Sequence, residues 1–369
     1  MKAIIRVVLI GIIFMYLTVW LISSTAIKLR VDSLLYSSMS ELVPKETFLM
    51  LLSQEMTGLR VTNEAELNSD FDWLESVTNV SLLDPRSLFG REIPGIENYH
   101  THIAVAGKGT DITNLPNESP APTEDQLKDQ EIDQSQIDQA NNNSGDGVQE
   151  IDEKSVYIYH SHSWEAFSPL IKNNDSKDPA STNEKVNVIA VGSKLKQELE
   201  ARGIGAVQDK TDVNKALKDK SWTYFESYQL SRGLVQEAIA QNDDLTYLID
   251  IHRDSQPRNI TTKTINGKNY ARLFFIVGKE NKNFEKNLKI AKDLNAKLEE
   301  KYPGISRGVF IKTKAEGNGV YNQDLTERAM LLEFGGVENN LVELYNSTEA
   351  FAEIFAEYHQ KDAVEVNAQ

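Results

Sequence analysis

Two rhythms of apolar and polar positions alternate along the chain from residue 155 onward. Val156-Tyr157-Ile158-Tyr159 and residues 245–251, 272–277, 308–311 and 329–334 are short, nearly continuous apolar runs, as strands buried on both faces read. A shorter run covers residues 204–207. Helical spacing fills the intervals. Residues 186–202 place Ile189, Leu195 and Leu199 on one face and stop at Gly203, and residues 225–241 carry Leu234, Val235, Ala238 and Ile239. Residues 284–302 are amphipathic and closed by Pro303-Gly304, and residues 338–358 form a last helix. Strands alternating with helices predict an α/β domain over residues 154–361, with a mixed, mostly parallel sheet flanked by helices and a tail at 362–369.

The pattern upstream is different. Residues 7–22 form an apolar run behind Lys2 and Arg6, and weakly polar residues extend it to Ile27, about the length that spans a bilayer. Residues 1–30 therefore read as a retained transmembrane anchor with the rest of the chain outside the cytoplasm. Ser24-Thr25-Ala26 leaves a cleaved signal peptide as the alternative. Residues 31–109 show hints of amphipathic helices and read as a membrane-proximal interaction region without chemistry of its own. A His-x-His pair there, His100 and His102, reads as part of a surface strand. Residues 110–153 are rich in Asp, Glu, Gln and Asn and poor in aromatic and branched side chains, which predicts a disordered acidic tether.

Composition narrows the possibilities. A formal net charge of −16 over 369 residues argues against a nucleic-acid partner. The absence of cysteine excludes disulfides and thiolate catalysis, and suits an extracytoplasmic bacterial protein.

The candidate chemistry gathers where apolar runs end. The first closes in His160-Ser161-His162-Ser163-Trp164-Glu165, the run at 245–251 delivers His252, and the run at 329–332 delivers Glu333. Carboxyl ends of strands are where α/β folds place reactive groups. Imidazoles and carboxylates without thiolates suit a hydrolytic zinc site with an open position. His160 and His162, two apart in extended backbone, are expected to face the same way. Asp250 or Asp254 is a candidate to orient His252. Glu333, set among Leu331, Leu332 and Phe334 and followed by Gly335-Gly336, is the candidate general base, because desolvation raises a carboxyl toward neutral pKa.

Tyr159 to Phe167, Asp250-Ile251-His252-Arg253-Asp254-Ser255 and residues 331–340, in this order, resemble the signatures of the stage II sporulation protein P family. Residues 186–204, 209–212 and 227–232 also fall where that family has them, so the resemblance covers residues 155–345. It implies a mixed α/β fold of the phosphorylase/hydrolase type. It also implies a membrane-anchored zinc N-acetylmuramoyl-L-alanine amidase acting on peptidoglycan, with endopeptidase activity on stem peptides left open. The implied setting is septal wall remodelling during engulfment, beside other membrane-associated wall-remodelling proteins. His162 and His252 are the expected zinc ligands, with Glu165 as the third and Glu184, near the start of the next helix, as the alternative. Glu333 is the expected base, Arg253 is expected to contact substrate carboxylates or the oxyanion, and His160 either to support the ligands from behind or to face substrate. Two other readings stay open: a zinc carboxypeptidase or endopeptidase of stem peptides, and a non-catalytic wall-binding scaffold.

Overall fold

The computed structural model describes residues 102–141, except 112 and 129, and residues 151–367, except 175. The expected membrane anchor, the region up to residue 101 with His100, and residues 142–150 lie outside the described residues. Among the described residues, no helix is long and apolar enough to cross a membrane.

A seven-stranded sheet forms the centre. Its strands are β1 (His102–Ala106), β2 (Lys154–Tyr159), β3 (Gly205–Gln208), β4 (Tyr247–Asp254), β7 (Leu273–Gly278), β8 (Ser306–Lys312) and β9 (Ala329–Gly336), in the order β1-β8-β7-β9-β4-β2-β3. β3, β2, β4 and β9 run parallel, as do β7 and β8, whereas β7 meets β9, and β1 meets β8, in antiparallel fashion. The sheet is thus mixed and mostly parallel, as expected. The strand at residue 102 places His102 at the edge of the sheet.

The central strands are buried on both faces with a period of two. On one face Val156, Ile158, Ile249, Ile251, Phe275, Val277, Leu332 and Phe334 join the main core. That core also takes side chains from α2 (Val188–Glu200), α6 (Phe284–Lys301) and α7 (Leu341–Asn367). On the opposite, front face Tyr157, Tyr159 and Leu248 pack on Val235 of α4 (Ser227–Gln241), and Phe274, Ile276, Phe310 and Leu331 form a separate cluster. Alternation places Asp250, His252, Glu333 and Lys312 on this same front face. Gly335 (φ 63) and Gly336 follow Glu333 because a Cβ would meet Asn339 Oδ1 at 2.5 Å in the first case and Gln256 O at 2.3 Å in the second.

Smaller elements complete the domain: α1 (Gln134–Asn141), α3 (Val213–Asp219), the short α5 (Arg258–Thr261), and a hairpin of β5 (Thr262–Ile265) and β6 (Lys268–Ala271). The hairpin turns at Asn266 (φ 50) and Gly267 (φ 79), the pair that two-residue turns with positive φ favour.

Residues 110–141 depart from the expected disordered tether. Ile137 and Ala140 of α1 enter the main core, Ile132 bridges Ile171, and Asn117 N donates to Asp254 Oδ1 at 3.0 Å. Composition failed here because the segment is ordered chiefly by polar partners already fixed on the sheet. Chief among these is Arg307, whose guanidinium pairs with buried Asp254 and reaches Asn114 O. At the other end, α7 runs through the expected tail as far as Asn367.

Candidate metal centre

β2 ends at Tyr159, and residues 161–164 form a turn before Glu165 and Ala166 bridge to Ala180 and Asn187. The expected common direction of His160 and His162 is therefore lost. His160 Nδ1 lies 3.3 Å from Ile251 O and Nε2 lies 3.2 Å from Gln208 Nε2, while its ring packs where only Gly192 leaves space. Burial lowers its pKa to about 4, so it sits there neutral. The turn brings His162 to the other side, into the site.

His162, Glu165 and His252 each offer one ligand atom, and these atoms lie within 4.8 Å of one another. Glu165 stands between the two rings: Oε1 is 3.2 Å from His162 Nδ1 and Oε2 is 3.4 Å from His252 Nδ1. The far nitrogens face polar groups behind them, although His252 Nε2 makes no hydrogen bond of good geometry among the described residues. His162 Nε2 lies 3.2 Å from Ser227 Oγ, and His252 Nε2 lies 3.2 Å from Asp250 Oδ1. Asp250 in turn accepts from Ser161 N at 2.9 Å and Ser161 Oγ at 2.5 Å. A carboxylate behind an imidazole raises its basicity, and of the two expected aspartates it is Asp250 that lies behind His252, whereas Asp254 pairs with Arg307. Aromatic rings wall the His162 side: Trp164 and Tyr224 stack on the imidazole at 5.1 Å, and Tyr228 meets it edge-on at 5.3 Å.

The two glutamates weighed as third ligand lie in different surroundings. Glu165 belongs to the cluster, whereas Glu184 is about half exposed and pairs with Lys210 at 3.4 Å. Glu333 is the register partner of His252 on the adjacent parallel strand, so the two side chains share a face. Sequence order alone did not point to Ser227, Tyr224 or Tyr228. They come from the start of α4 and the short 3-10 turn before it, and nothing in their spacing relates them to the histidines.

Arg253 takes a different place from the one expected. Its Nε donates to Ala166 O at 2.8 Å, its Nη2 to Pro179 O at 2.7 Å and its Nη1 to Ser119 Oγ at 2.7 Å, with Asp178 paired at 2.5 Å. With its donors so committed, the guanidinium clamps chain segments rather than facing an open site. Its contribution to the cluster is the main-chain N–H, which donates to Glu165 Oε2 at 2.9 Å.

Electrostatics suit a cation. Burial alone would raise Glu165, but the imidazoles of His252 and His162 outweigh it and hold the carboxyl far below its ordinary range. Burial would lower His252, yet Asp250 and Glu165 raise it well above ordinary histidine values. Burial lifts Glu333 to about 8, with Glu165 and Asp254 adding to the rise and His252 and Lys312 opposing it. The Oε2 atom of Glu333 is buried with no hydrogen-bond partner among the described residues. A buried carboxylate oxygen without a donor, beside three convergent N and O ligands, is a donor set that fits a divalent ion and the water it carries.

Comparison with known proteins agrees in identity and extent. The family model described as Stage II sporulation protein P (SpoIIP) matches residues 83–356. A curated protein named Stage II sporulation protein P, from Bacillus subtilis (strain 168), is 42% identical over 370 residues, covering 98% of this chain and 92% of that protein. A solved structure titled as the crystal structure of N-acetylmuramoyl-L-alanine amidase from Clostridium difficile 630 covers 57% of this chain and 98% of its own, at 15% identity and a TM-score of 0.32, too low to bear on the argument. With a family match that spans the whole sheet and a relative alike along nearly its entire length, the chain belongs to the stage II sporulation protein P family.

Proposed function

We propose that this protein is a membrane-anchored peptidoglycan hydrolase that cleaves the amide between the muramic acid lactyl group and L-alanine. The observation that carries the reading is the buried His162–Glu165–His252 cluster with Glu333 in register beside His252. His162 Nδ1, Glu165 and His252 Nδ1 would hold zinc, which when bound supplies an acidified water and polarises the scissile carbonyl. Glu333 accepts the proton of the attacking water and passes it to the departing amine nitrogen. Asp250 keeps the His252 ring oriented, Ser227 does the same for His162, and the Trp164, Tyr224 and Tyr228 rings exclude bulk water. The N-terminal apolar run anchors the enzyme with its catalytic domain outside the cytoplasm, where it thins septal wall during sporulation beside other membrane-bound wall-remodelling proteins.

Mass spectrometry of purified peptidoglycan after digestion tests the bond assignment. Free glycan with intact stem peptides is the expected product. Shortened peptides still attached to sugar would establish the peptidase reading instead, and no digestion would leave the scaffold. Asp250→Asn should keep the fold but lower zinc affinity about 10–100-fold, measured by competition with a chelator. Unchanged affinity would remove the orienting role of Asp250.

A further inference from the structure

The front-face cluster of Phe274, Ile276, Phe310 and Leu331 packs against Tyr228, Tyr321 and one upstream side chain, Leu115. Leu115 belongs to residues 115–122, which cross this face without regular secondary structure. Three residues on, Glu118 Oε1 accepts from Lys312 Nζ at 2.9 Å and from the Tyr321 hydroxyl at 3.2 Å. Lys312 ends β8 and is only 4% exposed. A buried ammonium needs an anion, and here a segment without regular secondary structure supplies it. Burial raises the Glu118 carboxyl, but Lys312, His162 and His252 outweigh it, so this carboxylate lies within the field of the metal centre. The ligand cluster itself is 1–2% exposed, and Glu333 3%. A polymeric substrate cannot reach such a site unless something moves.

We propose that Lys312 and Tyr321 form a subsite for a stem-peptide carboxylate, that Glu118 fills it intramolecularly, and that substrate displaces residues 115–119 to reach the metal centre. The inference rests on the hydrolase reading and names how that site recognises an acidic peptide. Besides Leu115, the segment is held mainly by polar contacts, including Ser119 Oγ with Arg253 and Ser119 O with the Tyr224 hydroxyl at 3.0 Å. A competing carboxylate can replace the contacts made by Glu118, and apparent affinity is reduced by the fraction of molecules in which the segment is in place.

The test uses the full chain in detergent, carrying Glu333→Gln so that nothing turns over. Binding of N-acetylmuramoyl-L-alanyl-D-glutamate and of its isoglutamine counterpart is measured by titration calorimetry. Adding Glu118→Gln should tighten the acidic dipeptide about tenfold, and adding Lys312→Met should lower the acid-to-amide preference about tenfold or more. Saturation with the acidic dipeptide should also speed amide hydrogen exchange in residues 115–119. If Lys312→Met does not fold, the Glu118→Gln titration and the exchange measurement decide. Unchanged affinity in Glu118→Gln, an acid-to-amide preference indifferent to Lys312→Met, or unaltered exchange would each overturn the proposal. Wall left intact by the wild-type protein alongside the expected binding would remove the hydrolase reading and keep the subsite. Wall digestion with no Lys312 dependence would do the reverse.

Discussion

Glu333→Gln is expected to lower kcat/KM on peptidoglycan by about 10²–10⁴-fold, the range a positioned general base contributes. The substitution keeps the size of the side chain, and Glu333 is not among the three clustered ligands, so zinc content should be unchanged. Zinc measured on the purified variant beside its rate separates loss of a base from loss of the metal. Undiminished wall lysis would sink the mechanism. The same variant has a pH signature in the metal-free protein. Burial lifts Glu333 to about 8 in the folded state, against about 4.3 in an unfolded chain. The folded state therefore binds this proton more tightly. Its contribution to stability is complete below about pH 4 and is lost as pH rises through about 8. Glu333→Gln lacks the group, so its stability relative to wild type should increase across that window. The gain is of order 4 kcal/mol by pH 7 at about 1.4 kcal/mol per unit. Urea denaturation in chelator at pH 5 and pH 7.5 reads the difference, and a gap that shrinks with pH would contradict the buried placement.

Glu165→Ala should abolish activity by a different route. Both of its oxygens face ring nitrogens of the cluster, and it accepts the Arg253 main-chain N–H, so its removal takes away one of three ligands and unties the other two. Zinc affinity should fall by more than the roughly 100-fold that loss of an outer partner costs. Glu184→Ala should retain full zinc and full rate, because Glu184 is half exposed and pairs with Lys210 across 3.4 Å, outside the cluster. An exposed pair of that kind contributes little. Zinc quantified in both variants decides between the two glutamates: retention in Glu165→Ala with loss in Glu184→Ala would invert the assignment.

The same placements show why some of the site was readable and some was not. His162, Glu165, His252 and Glu333 stood out because they follow or interrupt apolar runs, and burial of a polar group there demands a partner. His160 was misdirected by the same reasoning, since the alternation that predicted its side holds only while the backbone stays extended, and β2 stops at Tyr159. Arg253 looked available for substrate because charge next to a metal-binding histidine suggests recognition. Carbonyls of Ala166 and Pro179, distant in sequence, absorb its guanidinium instead.

What the chain carried by itself was the set of strands and helices, the likeness of motifs to one family, and the residue types that gather at strand ends. These follow from short-range periodicity and from the cost of burying polar groups, both written locally. Tertiary structure decided the insertion of β7 between β8 and β9, parallel to the first and antiparallel to the second, the gathering of Glu165 rather than Glu184 with the two histidines, and the nitrogen each histidine turns toward Glu165. It also decided that a polar stretch reading as a loose tether lies against Asp254, Arg253 and Lys312. Each of these depends on partners far apart in sequence, and a pairing energy between distant groups leaves no periodic trace in either of them.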